Sequence, residues 1–504
     1  MTTELGLRIR GSLATGAVSR PSARIASASA AVLALALAAP VYAASDAPSA
    51  DDVKALRGQV ELLMQRIKQL EAQQNAQKQA IEDQKSEQKK LAKKQEEVTI
   101  APANVVTAGD EPGSFKIPGT NTSVKIGGYV KADMIYNVDE DLGNSLLASN
   151  VVTGATPTKA VPTGEFNLLA AQTRFNIKTS TPTKLGSLKT TIEGDFEGGA
   201  GNERVSNSRH FRLRHAWGQL GHFRFGQTWS NFQNWHYGST VDFGGPSGQI
   251  FIRQTQFRYM GDINDHMAYS VALENPAGLL QTPTAAAVAG ATAANPAAFA
   301  NGAAASAAAA SAGARVRGKD IFPDVTGRLE WNNGGGGTSA TAAVALRFYD
   351  FGNIAGLKNG GTETGYGFTV GATQKFGANK VQLTGTYGDG LGRYLYHGFL
   401  NGGTHIAADG SVDTTEEWGA TASLGRKWTS KLSTNLIYGI TSINLPGNLY
   451  PTSNQNLQTV HANLMYTPWD RVSYGLEFQW AHRETQTGKH GDAPRVVFGA
   501  KYAF

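Results

Sequence analysis

From Ser114 to the end, the chain alternates apolar and polar residues with a period of two. In SVKIGGYVKADMIYNV, Val124, Ile126, Gly128, Val130, Ala132, Met134, Tyr136 and Val138 fall on one face, and Lys125, Lys131, Asp133 and Asn137 on the other, because successive side chains of a strand point to opposite sides. In SLKTTIEGDFE, Leu188, Thr190, Ile192 and Phe196 oppose Lys189, Glu193, Asp195 and Glu197. The same alternation recurs in TRFNIKT, VTGRLEW, AAVALRFY, YGFTVGAT, KLSTNLIYGI, VSYGLEFQW and VVFGAKYAF. Many of these runs exceed the roughly five or six residues usual for a soluble strand. They suit the roughly 9 to 11 residues of a tilted membrane-spanning strand with an apolar outer face.

The connections supply a count. Short turns fall at 180–187, 221–222, 260–266, 332–338, 376–380, 428–432 and 467–471, and longer polar or glycine-rich segments at 139–165, 198–208, 228–249, 275–319, 350–364, 388–415, 441–456 and 481–494. Short and long alternate throughout, which predicts an all-β transmembrane barrel of about sixteen antiparallel strands, with periplasmic turns at one end and extracellular loops at the other. Val496, Phe498, Ala500, Tyr502 and Phe504 share a face of the last strand, and its terminal phenylalanine, common to many outer-membrane barrels, predicts that this strand closes the barrel. Pro276 to Ala314 is alanine-dominated and interrupted by Pro283 and Pro296. Those prolines exclude a continuous spanning helix, leaving an external loop folded over the mouth or a disordered one.

Before Ser114 the period is different. Residues 51–98 repeat every seven, with Val53, Val60, Ile67 and Ile81 at a and Leu56, Leu63, Leu70 and Leu91 at d, which predicts an N-terminal α-helical coiled coil. The a and d choices lean towards two strands, although Gln74, Gln77, Gln84 and Gln88 also fall on the seam; a polar helix that stays monomeric or frays beyond Leu70 is the alternative. Residues 99–113, with Pro102, Pro112 and Gly113, read as a linker to a barrel domain at 114–504.

Residues 1–43 carry Arg8, Arg10, Arg20 and Arg24, then AVLALALAAP and small residues at Val41 and Ala43, the pattern of a cleaved secretory signal. Four arginines and Glu4 leave with it, so the formal charge of +6 falls to about +3, too small to imply nucleic-acid binding. The chain has no cysteine, which suits an oxidising compartment without requiring one. Any electrostatic function must come from where charges are placed.

In FRLRHAWGQLGHFRFGQTWSNF, arginines and aromatics interleave. Strict alternation puts Phe211, Leu213, His215 and Trp217 outward against lipid or a neighbouring subunit, and Arg212, Arg214 and Ala216 inward. A barrel this wide leaves an aqueous channel with polar walls. The same rule assigns Lys125, Lys131, Arg174, Lys178, Lys189, Arg212, Arg214, Arg224, Arg258, Arg328 and Arg347 to the lumen, together with Asp133, Glu193, Asp195, Asp324 and Glu330. Arg209 and Arg253 lie at strand ends beside long loops and join the group on weaker grounds. A ladder of guanidinium groups favours anions, since each keeps its charge and can grip a carboxylate with two parallel hydrogen bonds. The opposing reading is that these arginines pair with the wall acids and only brace the barrel.

The segments FKIPGTNTSVKIGGYVKADMIYN, FRLRHAWGQLGHFRFGQTWSNF, DFGGPSGQIFIRQTQFRY, FPDVTGRLEW and GLGRYL resemble DcaP-like outer-membrane porins over most of the chain after Ser114. The heptads are similar to that family's N-terminal extension, and the alanine-rich insertion departs from its pattern. The resemblance implies a homotrimer of sixteen-stranded barrels in the bacterial outer membrane. It also implies a coiled coil in the periplasm and passive uptake of small anionic solutes such as dicarboxylates. In general porins the third long loop folds inward, which would make Trp235, His236, Tyr237 and Asp242 a constriction facing the arginines; an external loop packed at the rim is the alternative.

Neither a cofactor nor a metal is expected. The ten histidines, including His210, His215, His222 and His236, show no metal-ligand spacing or nucleophile system, which argues against an enzyme. A trimeric adhesin would place only a few strands per chain after a long stalk. A structural or adhesive protein with a plugged or non-selective barrel remains the other reading.

Overall fold

The computed structural model describes residues 50–99, 105–154, 164–202, 205–294, 315–352, 354, 357–396 and 402–504. The expected signal segment lies outside them. Two units separate near residue 101. The first holds one α-helix, α1 (Ala50–Thr99), which a single glycine and no proline leave uninterrupted. Its Val53, Val60, Ile67 and Ile81, and Leu63, Leu70 and Leu91, are all exposed along the chain.

The second unit is a closed barrel. Its strands are β1 (Ser123–Asn137), β2 (Glu165–Leu169 continued by Arg174–Thr183), β3 (Gly186–Asn202), β4 (Ser208–Leu220), β5 (Phe223–Trp229), β6 (Arg253–Asn264), β7 (Met267–Glu274), β8 (Asp324–Asn332), β9 (Thr338–Asp350), β10 (Thr362–Phe376), β11 (Asn379–Asp389), β12 (Glu416–Lys427), β13 (Leu432–Asn444), β14 (Asn454–Trp469), β15 (Val472–Thr485) and β16 (His490–Ala503). Each pairs antiparallel with its neighbours in sequence, and β16 closes on β1 from Tyr129↔Ala503 to Asn137↔Arg495. β2 is one strand interrupted at residues 170–173, both halves pairing with β1. The sixteen strands are therefore those the alternation predicts. Two of the expected long loops are mostly strand: β3 runs on to Asn202 and β16 begins at His490.

Short turns collect at one end. Gly221 and Gly377 take positive φ there (55° and 57°), a conformation that costs glycine nothing. Outward positions are apolar and exposed, as at Phe223 (64%) and Phe257 (71%). Trp331, Tyr466 and Trp469 border the short-turn end, with Tyr136, Tyr366, Tyr387 and Trp418 towards the other, the aromatic belts of a barrel at two membrane interfaces. No described helix is long and apolar enough to cross a membrane.

Over the long-loop end, residues 279–281, 315–317, 403–406 and 412–414 form a small separate sheet packed through Leu280, Val316, Tyr349, Phe351, Ile406 and Val412. The alanine-rich insertion contributes its first strand and a helix, α2 (Ala285–Ala294). α2 begins after Pro283, and its Ala291 packs on Ile443, Leu445, Leu449 and Tyr450; residues 295–314 lie outside the described ones. Tyr450 Oη accepts from Ile406 N (3.0 Å) and donates to Gln281 O (3.0 Å). Burial pushes its hydroxyl pKa up, so the proton that makes the second bond is retained.

Candidate functional site: an arginine-bearing wall facing a folded-in loop

The inner faces of β2–β6 concentrate cations. Glu193 and Asp195 on β3 meet Arg174 from β2 and Arg212 and Arg214 from β4. Arg212 grips Asp195 with Nε and Nη2, both at 2.9 Å, while Arg214 reaches Glu193 and Asp195 at 2.9 Å each. Arg174 lies 3.5 Å from Glu193. Arg224 on β5 and Arg258 on β6 are register partners. Arg224 donates to Gln219 at 3.1 and 2.7 Å, and Arg258 to Gln256 (2.8 Å) and the Trp229 carbonyl (2.7 Å), all of them neutral acceptors. Lys178 and Lys189 stay exposed on the same face.

The face assignments of His215, Trp217 and Ala216 are corrected. The β3–β4 pairing runs Glu193↔His215 and then Gly194↔Leu213, so Arg214 is an extra, bulged residue and the alternation changes phase there. Phe211 and Leu213 point outward as expected. His215 and Trp217 turn inward instead: His215 Nδ1 meets Thr228 Oγ1 at 3.0 Å, and the Arg224 guanidinium lies 4.4 Å from the Trp217 ring centroid. Ala216 moves to the outer face. On that face Gln227 Nε2 donates to the carbonyls of Leu213 and Arg214 (3.1 and 3.4 Å), which a bulge in contact with lipid would otherwise leave costly.

Residues 230–252 run through the interior. Asn231 N donates to Glu274 (2.6 Å), Asn234 to Thr369 (3.3 Å), Gly238 N to Ser423 (2.8 Å), Val241 N to Glu477 (2.9 Å), Ser247 N to Thr459 (2.8 Å) and Gly248 N to Thr441 (2.7 Å). These partners sit on β7, β10, β12, β15, β14 and β13. Gly248 has φ +80°, and a Cβ there would lie 2.3 Å from Ile440 O, so only glycine lets the loop lie flat on the wall.

Two further loops fold in. Leu142, Leu146, Ala148 and Val151 bury against Leu457, Ala481 and Ala493, while Leu391, Tyr394 and Leu395 bury against Phe232, Ile250, Ala343 and Ala345. Sequence reasoning missed both, although LGNSLLASNVV and LGRYLY carry more apolar residues than solvated loops need. Together these loops bury the inner face of β8–β16, including Thr326, Thr369, Thr441, Thr459, Gln479 and Val497. On β2–β5, by contrast, the Arg174 and Arg212 side chains keep 20% and 31% of their surface.

The remaining expected residues divide. Arg253 stacks on Trp229 with its guanidinium 4.6 Å from the ring centroid, beside the main cluster. Arg209 pairs in register with Gly201 at the outer end of β4. Arg328 donates to the Gln233 carbonyl and to Glu330, tying the loop to β8. Arg347 departs from the group: it is 1% exposed, bonded to Asp324, Tyr349 and the carbonyls of Leu391 and Ala277, so it braces the folded-in loop and faces no channel water. His236 bridges Thr373 (2.7 Å) and Thr341 (3.0 Å) on the far wall, and Asp242 pairs with Arg495 and accepts from Leu146 N (2.7 Å). Both anchor the loop and do not face the arginines, because the loop lies against β8–β16. Trp235 and Tyr237 stay half-buried, Trp235 4.9 Å from Trp229. The residue that does meet the arginines is Phe243, with Arg212 and Arg214 at 5.1 and 5.0 Å from its ring centroid. No group of three or more His, Asp and Glu among the described residues is placed to hold a metal ion.

A sixteen-stranded barrel with an apolar outer belt, a polar interior and an inward loop is an outer-membrane channel. Residues 111–501 match the model of the porin subfamily, and the chain belongs to that family. No curated protein matches it. Among solved structures, the outer membrane channel DcaP of Acinetobacter baumannii is 23% identical, covering 79% of this chain and 100% of its own, with a TM-score of 0.62. The anion-selective porin from Comamonas acidovorans is 12% identical over 76% of this chain and 100% of its own, TM-score 0.45. The trimer form of OmpT from Vibrio cholerae is 10% identical over 76% and 99%, TM-score 0.43. These likenesses concern the fold.

Proposed function

We propose that this outer-membrane porin passes small anions in preference to cations, dicarboxylates such as succinate among them, along the β2–β5 wall. One observation carries the reading: loops cover the inner face of β8–β16, and the wall left uncovered holds Arg174, Arg212, Arg224, Lys178 and Lys189. Several weak cationic sites in sequence favour anion entry without trapping the ion. The test is the zero-current potential of the purified protein in a planar bilayer under a salt gradient, followed by succinate to look for current block. Anion selectivity with block supports the reading, cation selectivity overturns it, and absence of conductance favours the structural alternative. Replacing Arg224 and Arg258 together by glutamine is expected to move the zero-current potential towards zero with the barrel still folded. The hydrogen bonds described for the two residues run to the side chains of Gln219 and Gln256 and to the Trp229 carbonyl. An unchanged potential would remove these two from the ladder.

The exposed seam of α1 fits other copies of the same chain, in a homotrimer whose helices lie in the periplasm after removal of the signal. Since the chain has no cysteine, Leu63→Cys introduces a single thiol. Oxidation of intact cells is expected to convert that variant to a disulfide-linked dimer on denaturing gels, and a monomer under the same conditions would mean the helices are apart.

A further inference from the structure

The cationic wall is not uniform. Arg212 and Arg214 are committed to Asp195 and Glu193, and Arg174 leans on Glu193. Arg253 makes no such ion pair among the described residues, although Arg174 Nε likewise lacks a hydrogen-bond acceptor. The Arg253 guanidinium lies on the face of Trp229, and its Nη1 is enclosed without a hydrogen-bond acceptor among the described residues. A desolvated guanidinium N–H with no acceptor is costly, and a planar fork of this kind is matched by one carboxylate.

The surroundings of that guanidinium are aromatic. Trp229 meets Phe251 at 4.9 Å between ring centroids and Phe251 meets Phe243 at 5.5 Å. These three rings are half-buried, and Phe243 ends beneath Arg212 and Arg214. A chain of rings offers edge and face contacts to a flat apolar body. It offers little to a second charge, because the Arg212 and Arg214 guanidiniums at its far end are already bonded to Asp195 and Glu193, and a further carboxylate would lose water without gaining a free partner.

We propose that the channel contains a subsite for monocarboxylates on an aromatic body, with Arg253 taking the carboxylate and Trp229, Phe251 and Phe243 taking the ring. This rests on the anion-channel reading and narrows it: at this point in the channel an aromatic monocarboxylate is held more tightly than an aliphatic dicarboxylate.

The test compares benzoate and succinate as blockers of the chloride current in single channels of the full-length protein. Benzoate is expected to block at least tenfold more tightly than succinate. Arg253→Gln removes that advantage, and Phe243→Leu, which keeps every charge, lowers benzoate affinity more than succinate affinity. Folding of both variants is checked by heat-modifiable migration on gels. An anion-selective parent that binds benzoate no better than succinate overturns the subsite while the channel reading stands, whereas a cation-selective parent overturns both. Unchanged benzoate block in Arg253→Gln assigns the carboxylate elsewhere and also overturns the proposal.

Discussion

Arg495→Leu is expected to turn a steady channel into one that closes repeatedly, and to lower its thermal stability. Arg495 is fully buried on β16 and donates to Asp242, to Gln479 (2.5 Å) and to the Gly143 carbonyl (2.8 Å). It therefore joins two of the three inward loops, the one holding Gly143 and the one holding Asp242, to the wall. Asp242 and its neighbour Val241 form the far anchor of residues 230–252, where Lys131 Nζ donates to Val241 O at 2.8 Å and Glu477 accepts from Val241 N at 2.9 Å. Removing the guanidinium leaves a buried carboxylate without its cation, a loss of about 3–5 kcal/mol in comparable pairs. The cheapest response is for the loop to leave the wall, and the space open to it is the channel along β2–β5.

The measurement is a single-channel recording beside a thermal melt. A single steady conductance level in Arg495→Leu would mean that the remaining contacts hold the loop without this pair. The double variant Arg495→Leu with Asp242→Leu separates charge from packing. Apolar residues in place of both partners are often tolerated, so the double variant is expected to close less often and melt higher than Arg495→Leu alone.

How much of this is legible in the sequence follows from the range of each interaction. Faces of β1 and β3 are legible because alternation is local: Ile126, Val130 and Met134 are exposed outward while Lys131 and Asp133 lie inside. The barrel and its strand number follow from the same period plus turn spacing. The phase change in β4 is written in the parity of its apolar residues, odd at Phe211 and Leu213 and even at Leu220, but a rule that assumes one phase per strand passes over it. Alternation suggests a channel-facing role for Arg347, and the expected inward loop suggests one for His236 and Asp242, but what decides their role is partners 23 to 253 positions away in the chain. Phe243 carries no pattern signal, since its meeting with Arg212 and Arg214 depends on the path of a loop with no period.

Asp195→Asn is expected to raise anion over cation selectivity, the reverse of what loss of an arginine does. Asp195 is fully buried and takes three guanidinium hydrogen bonds, two from Arg212 and one from Arg214. In the parent the three arginines 174, 212 and 214 face two carboxylates, so the cluster holds one net positive charge; the substitution makes it two. Two unit charges about 5 Å apart at an effective dielectric constant of about 20 interact by roughly 3 kcal/mol. Screening by channel salt leaves part of this to a passing ion, and a change of about tenfold in the permeability ratio needs only ~1.4 kcal/mol. The protein is also expected to melt lower, because an amide in place of the carboxylate has one oxygen to accept from three donors. Glu193→Gln gives a smaller shift in the same direction, since Glu193 keeps 15% of its side-chain surface and its charge is better screened. The zero-current potential decides: if it is the same in Asp195→Asn and the parent, ions do not travel along β2–β5, and the eccentric channel is the wrong account of this porin.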